Sequence, residues 1–152
     1  MISEQLERYL REHGVDFEVV PHRVAYTAQE TAQREHMSGK RQAKVVMVRV
    51  DDKPTMAVLP ADQRLDLEAM RETLDARKVR LMAEPEFEAL FTDCEVGAMP
   101  PFGNMYHLPV YVDQRLAENE FILFNAGSHS ESVKMAFKDY ERLVRPTLFS
   151  AV

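Results

Sequence analysis

The chain has 152 residues, 45% hydrophobic and 29% charged, with a net charge of -6 at pH 7. This length suits one domain over 1–152 with its own core, and the acidic balance argues against indiscriminate nucleic-acid binding. The single cysteine, Cys94, rules out an intramolecular disulfide and fits a reducing cytoplasm; no apolar run nears the roughly 18 residues of a membrane span, and the charged start is unlike a signal peptide.

In chain order, Ile2, Leu6, Tyr9 and Leu10 repeat at helical spacing, and Gly14 is placed to end that helix. Phe17 to Val20 alternates before Pro21 and reads as a short edge strand. Thr27-Ala28-Gln29-Glu30 is a capping-box pattern that opens a helix running to about His36 and stopping near Gly39. Ala43 to Val50 is almost continuously apolar apart from Lys44 and Arg49, as a strand covered on both faces would be. Asp51 to Pro54 turns the chain, and Thr55 to Leu59 returns as the partner of a hairpin.

Asp66 to Leu74 predicts a helix, Val79 to Leu81 a short strand, and Pro85 the first turn of a helix that points Phe87, Leu90 and Phe91 inward. Leu108 to Val112 and Glu120 to Phe124 read as strands separated by a charged bend or short helix. Val133 to Met135 reads as a last strand, and Phe137 to Val144 as a last helix ended before Pro146. Hairpins mixed with helical excursions predict an α/β (α+β) domain around a mixed, strongly twisted sheet. No Gly-rich fingerprint follows a strand, so neither a dinucleotide fold nor a phosphate loop is supported.

Three places carry potential chemistry. Gly97-Ala98-Met99-Pro100-Pro101-Phe102-Gly103 combines glycines that allow close approach with prolines that stiffen the middle. It reads either as a turn or as a rigid loop whose N–H groups, on Ala98 and Met99, face a carbonyl or developing oxyanion. Lys44, alone in an apolar run, either snorkels to water or lines a polar pocket where its cation holds an anionic or carbonyl group. Asn125-Ala126-Gly127-Ser128-His129 gathers an amide, a hydroxyl and an imidazole, either for ligand contact or for a soluble hairpin loop. The basic run from Arg34 to Arg49, with Lys40, Arg41 and Lys44, is the segment best suited to phosphates, or else a solvated face. The scattered histidines form no zinc pattern, and no serine hydrolase motif is present.

Together these segments resemble the YbaK/EbsC family, the prolyl-tRNA synthetase-associated editing domain. The resemblance rests on Tyr26-Thr27-Ala28-Gln29-Glu30, Ala43-Lys44-Val45-Val46, Ala57 to Asp62 with Leu65-Asp66-Leu67, Glu95 to Gly103, Leu108 to Asp113 and Phe124 to His129. It implies a barrel-like mixed sheet surrounded by helices and a trans-acting aminoacyl-tRNA deacylase that needs no metal or cofactor. It further implies cleavage of the ester at the 3′ aminoacyl-adenosine end of a mischarged tRNA, in many cases tRNA for proline carrying a small wrong amino acid. The family's glycine–proline loop falls on Gly97 to Pro101 and its pocket lysine on Lys44. The resulting expectation places Lys44, Gly97 and Ala98 in catalysis. Tyr26, Val45, Met99, Pro100, Pro101, Phe102, Gly103, Asn125, Gly127, Ser128 and His129 are expected to bind substrate.

On this reading water attacks, activated by the ribose hydroxyl of the substrate, while His129 is a candidate base or amino-group contact. Two other readings remain at this level: a non-catalytic tRNA-binding or synthetase-associated module, and a metal-free hydrolase of a different acyl ester. An aminoacyl-tRNA synthetase is a further candidate partner; a membrane is not.

Overall fold

Helix α1 (Glu4–Glu12) begins at Ser3, whose hydroxyl accepts the Leu6 N–H as an N-cap, and buries Leu6 and Leu10 on one face. In this computed structural model, residues 3–21, 41–95 and 97–150 are described. The helix expected from Thr27 to His36, with Tyr26 before it, lies outside them. The remaining elements are β1 (Phe17–Pro21), β2 (Ala43–Val50), β3 (Lys53–Pro60), α2 (Leu67–Thr73), β4 (Val79–Leu81) and α3 (Glu84–Glu88). They continue with β5 (Val110–Asp113), β6 (Phe121–Asn125), β7 (Glu131–Ala136), α4 (Phe137–Val144) and β8 (Thr147–Phe149). Short 3-10 turns occupy Gly103–Tyr106 and Leu116–Glu118.

The strands form two sheets. The larger runs β4-β2-β3-β5-β8 and the smaller β1-β7-β6. The β2–β3 hairpin is closed by Asp51 and Asp52, both at positive φ (48° and 69°), the conformation whose twist matches that of the strands. β5 pairs parallel with both β3 and β8. As expected, β1 lies at an edge and β2 inside its sheet. The sheet is mixed, but the expected barrel-like closure is not found. Among the described residues, one parallel bridge, Gln42 to Leu123, pairs the two sheets. β8 was not expected, because Pro146 reads as a stop; the chain resumes as a strand directly after it.

Alternation along β2 separates two apolar layers. Ala43, Val45 and Met47 pack into the main core with Met56, Val58, Val112, Ile122, Phe124 and the helices α1 and α4. Val46, Val48 and Val50 face a smaller core beneath α2, built on Ala57, Leu59, Met70 and Phe149. Lys44 is on this second face, directly across from Leu59.

The main core closes tightly around Gly103. A Cβ there would lie 2.7 Å from Val110 Cγ2 and 3.3 Å from Met56 Sδ. Gly103→Ala is therefore expected to lower stability by about 1–3 kcal/mol through overpacking, measured as a fall in thermal midpoint. An unchanged midpoint would show that this layer is loosely packed.

Candidate active site

The two loops singled out in the sequence are joined by their backbones. The Gly127 N–H donates to the Ala98 carbonyl at 2.9 Å, and the Glu95 N–H donates to the Gly127 carbonyl at 2.8 Å. A carboxylate oxygen of Glu95 accepts the His129 N–H at 3.1 Å. The Ala98 N–H donates back to the Glu95 carbonyl at 3.0 Å. Glu95 and Ala98 thus form one ladder of hydrogen bonds with Gly127 and His129. Gly97 (φ 84°) and Gly127 (φ 98°) bend it through backbone conformations that L side chains rarely adopt.

The ladder is anchored from behind. The Ser3 N–H donates to the Ala126 carbonyl at 2.8 Å, and the Ser3 hydroxyl to Asp93 at 2.5 Å. Pro101 is fixed by the buried Tyr140, whose hydroxyl donates to its carbonyl at 2.7 Å. Phe102 sits edge-on to Tyr9, Phe124 and Tyr140, with ring centroids 6.0, 5.6 and 5.3 Å away.

Lys44 stands on β2 next to the corner between the sheets. The Leu123 N–H donates to the Arg41 carbonyl at 3.0 Å, and Gln42 bridges Leu123 in parallel. Two residues further along each strand stand Lys44 and Asn125. Side chains alternate along both strands, so Gln42, Lys44, Leu123 and Asn125 share one face, opposite the side on which Ile122, Phe124 and Ala126 enter the main core. Burial holds the Lys44 ammonium below the ordinary lysine range; Asp62 works against that shift and Arg64 with it.

The expected site residues therefore divide. Gly97 is exposed, while Ala98, Met99, Pro100, Pro101, Phe102 and Gly103 are buried. The expectation of an exposed loop is thus corrected: Pro100 to Gly103 anchor it in the core, because Tyr140 and the aromatic cluster hold them there. Ala98 as a free donor is corrected too, since its N–H is bonded to Glu95. Among the described residues, the N–H groups of Gly97 and Met99 have no acceptor. Val45 packs on the main core, on the face opposite Lys44. Asn125, Gly127, Ser128 and His129 are all buried and lie together at the end of β6. Sequence reasoning missed Ser3, Glu95 and Tyr140. Ser3 had a readable signal as an N-cap ahead of a helical repeat, whereas the other two make long-range contacts.

The loop thus offers two main-chain donors, and β2 carries a partly buried cation. The nearby thiol is unsuited to attack: burial pushes Cys94 up to about 12, and it lies against Tyr106 and Asp93. Among the described residues no three His, Cys, Asp or Glu side chains gather as a metal site. No described helix is long and apolar enough to cross a membrane.

The chain as a whole is similar to known proteins. The chain is 29% identical over 150 residues to the multifunctional Ser/Thr-tRNA deacylase ProXp-y of Escherichia coli (strain K12), covering 95% of this chain and 89% of that protein. It is 27% identical over 131 residues to EbsC of Enterococcus faecalis (strain ATCC 700802 / V583), a candidate Cys-tRNA(Pro)/Cys-tRNA(Cys) deacylase, with 78% and 79% covered. Among solved structures, the hypothetical protein APE2540 superposes with a TM-score of 0.86 at 19% identity, covering 97% of this chain and 98% of that one. A candidate trans-editing enzyme for prolyl tRNA synthetase gives 0.84 at 19%, covering 97% and 94%. The model of the aminoacyl-tRNA editing domain matches residues 22–143, and the chain belongs to that family.

Proposed function

We infer that this chain is an aminoacyl-tRNA deacylase, acting in trans as one domain on the 3′ end of mischarged tRNA in the cytoplasm. The observation that carries the reading is the exposed Gly97 turn. Among the described residues its N–H and that of Met99 have no acceptor, and the turn is bonded to the loop that follows Asn125. As water adds to the ester carbonyl, negative charge grows on its oxygen, and fixed donors stabilise that charge more than they do the ground state. The tetrahedral intermediate then breaks its bond to the ribose oxygen. The free amino acid leaves, and the ribose oxygen takes a proton to restore the hydroxyl of the tRNA. Lys44 supplies positive charge to the carbonyl or to the terminal phosphate. Gly97, Met99 and Lys44 form the proposed catalytic set, with Asn125, Gly127, Ser128 and His129 as the wall against the amino acid.

Nothing here requires a protein nucleophile, in keeping with the suppressed reactivity of Cys94. The net charge of -6 favours recognition of the acceptor end over broad RNA contact. A synthetase that hands over its product would supplement such limited contact.

The test is deacylation of a panel of mischarged tRNAs, with free aminoacyl esters as controls. Hydrolysis confined to the tRNA esters is expected; hydrolysis of none would leave the binding-module reading. Lys44→Ala and Gly97→Ala should each lower turnover about a hundredfold, the scale of losing one oxyanion donor, with circular dichroism unchanged. Unaffected rates in both would displace the site.

The pH profile gives a second check. The lowered Lys44 pKa means that the charged form, and the activity depending on it, is lost on raising pH at a lower value than for a free lysine. Asp62 favours the cation, so Asp62→Asn should move the alkaline limb to lower pH. Arg64→Gln should move it to higher pH. Identical limbs in both variants would show that Lys44 does not titrate in the rate-limiting step.

A further inference from the structure

Among the described residues, the corner where the two sheets meet contains buried polar groups without partners. Gln42 is 0% exposed, yet neither its Oε1 nor its Nε2 has a hydrogen-bond partner. Asn125 is 6% exposed, and its Oδ1 is likewise unpartnered. Burying such groups unpaired is costly, and folded proteins seldom leave them so. Gln42 bridges Leu123, two residues before Asn125, and by strand alternation both polar side chains share the face of Lys44. Two acceptors and a donor thus lie on the face of the strands that carries the proposed catalytic cation.

We propose that Gln42, with Asn125, is the specificity-determining pair of this site, reading a hydroxyl on the side chain of the esterified amino acid. A hydroxyl both donates and accepts, so a single group satisfies one carboxamide nitrogen and one amide oxygen. A methyl in its place leaves both unpaired. The discrimination is therefore of the strong kind, in which a site built to hydrogen-bond a hydroxyl rejects the analogue that lacks it. Both residues are closed to solvent in the free chain, and the hydroxyl arrives with a ligand that opens this face. The inference rests on the deacylase reading and adds to it the side chain selected and the residue that selects it.

The experiment compares kcat/KM for one tRNA charged with serine or with alanine, in wild type and in Gln42→Met, which keeps length and removes both polar atoms. Thermal melting is recorded without tRNA. Wild type should prefer the seryl ester by at least about tenfold. Gln42→Met should bring the two esters within about threefold of each other, mainly through loss on serine. Its melting point should match or exceed that of wild type, because the free protein loses no hydrogen bond there. An unchanged seryl preference in the variant overturns the proposal, as does a wild type that prefers alanine. An equal loss on both esters also overturns it, because the carboxamide would then meet the shared ribose. A lowered melting point overturns it as well, since the carboxamide would then hold the fold together, for instance through a buried water. Hydrolysis of neither ester, nor of any in the wider panel, removes the deacylase reading itself; in every other case that reading stands whatever Gln42→Met does.

Discussion

The backbone ladder between residues 95–98 and 126–129 is the constraint from which the rest of the site follows. Two irregular segments would normally leave their peptide groups to water. Here they satisfy each other, with Glu95 offering its N–H, its carbonyl and its carboxylate to the same neighbourhood. Because those groups are already paired, the donors left over at Gly97 and Met99 sit in fixed positions. A donor held before the reaction begins needs no reorganisation when charge develops, which is the physical basis of main-chain catalysis.

The arrangement depends on what stands behind the ladder. Ser3, at the start of α1, donates to the Ala126 carbonyl and to Asp93. Tyr140 of α4 holds Pro101 from the other side. The first and last helices of the described chain therefore brace a single turn, and the prolines serve as feet planted in the core. On the proposed reading, the opposite wall is the corner of the two sheets. There the main core takes the even residues of β6, leaving Asn125 on the same side as Lys44.

Much of this was legible in the sequence. The apolar run with one lysine made β2 an interior strand, and the glycine and proline punctuation marked the turn correctly. Pairing of local elements was readable because hairpins and helices announce themselves through periodicity and turn residues. What escaped was long-range. Periodicity carries no information about which loop bonds to which, so neither the ladder nor the Glu95 contact could be seen. The burial of Pro100 to Phe102 was hidden for a related reason: turn residues read as surface until an aromatic cluster covers them. The open sheets instead of a barrel-like closure, and β8 after Pro146, follow from single bridges and three-residue strands that leave almost no compositional trace.

The smaller sheet joins Phe17 of β1 to Met135 of β7, with β6 on the far side of β7. Its middle strand is thus made by the ribosome well after its first edge. Loop closure over such a span is slow to be rewarded, so the larger sheet has its β2–β3 hairpin well before the smaller one can exist. A nascent chain halted short of β7 would carry the lysine strand and the glycine turn with no partner for β1 and no return strand to seat the end of β6. Competence to edit would therefore wait for β7 rather than accumulate as the polypeptide lengthens.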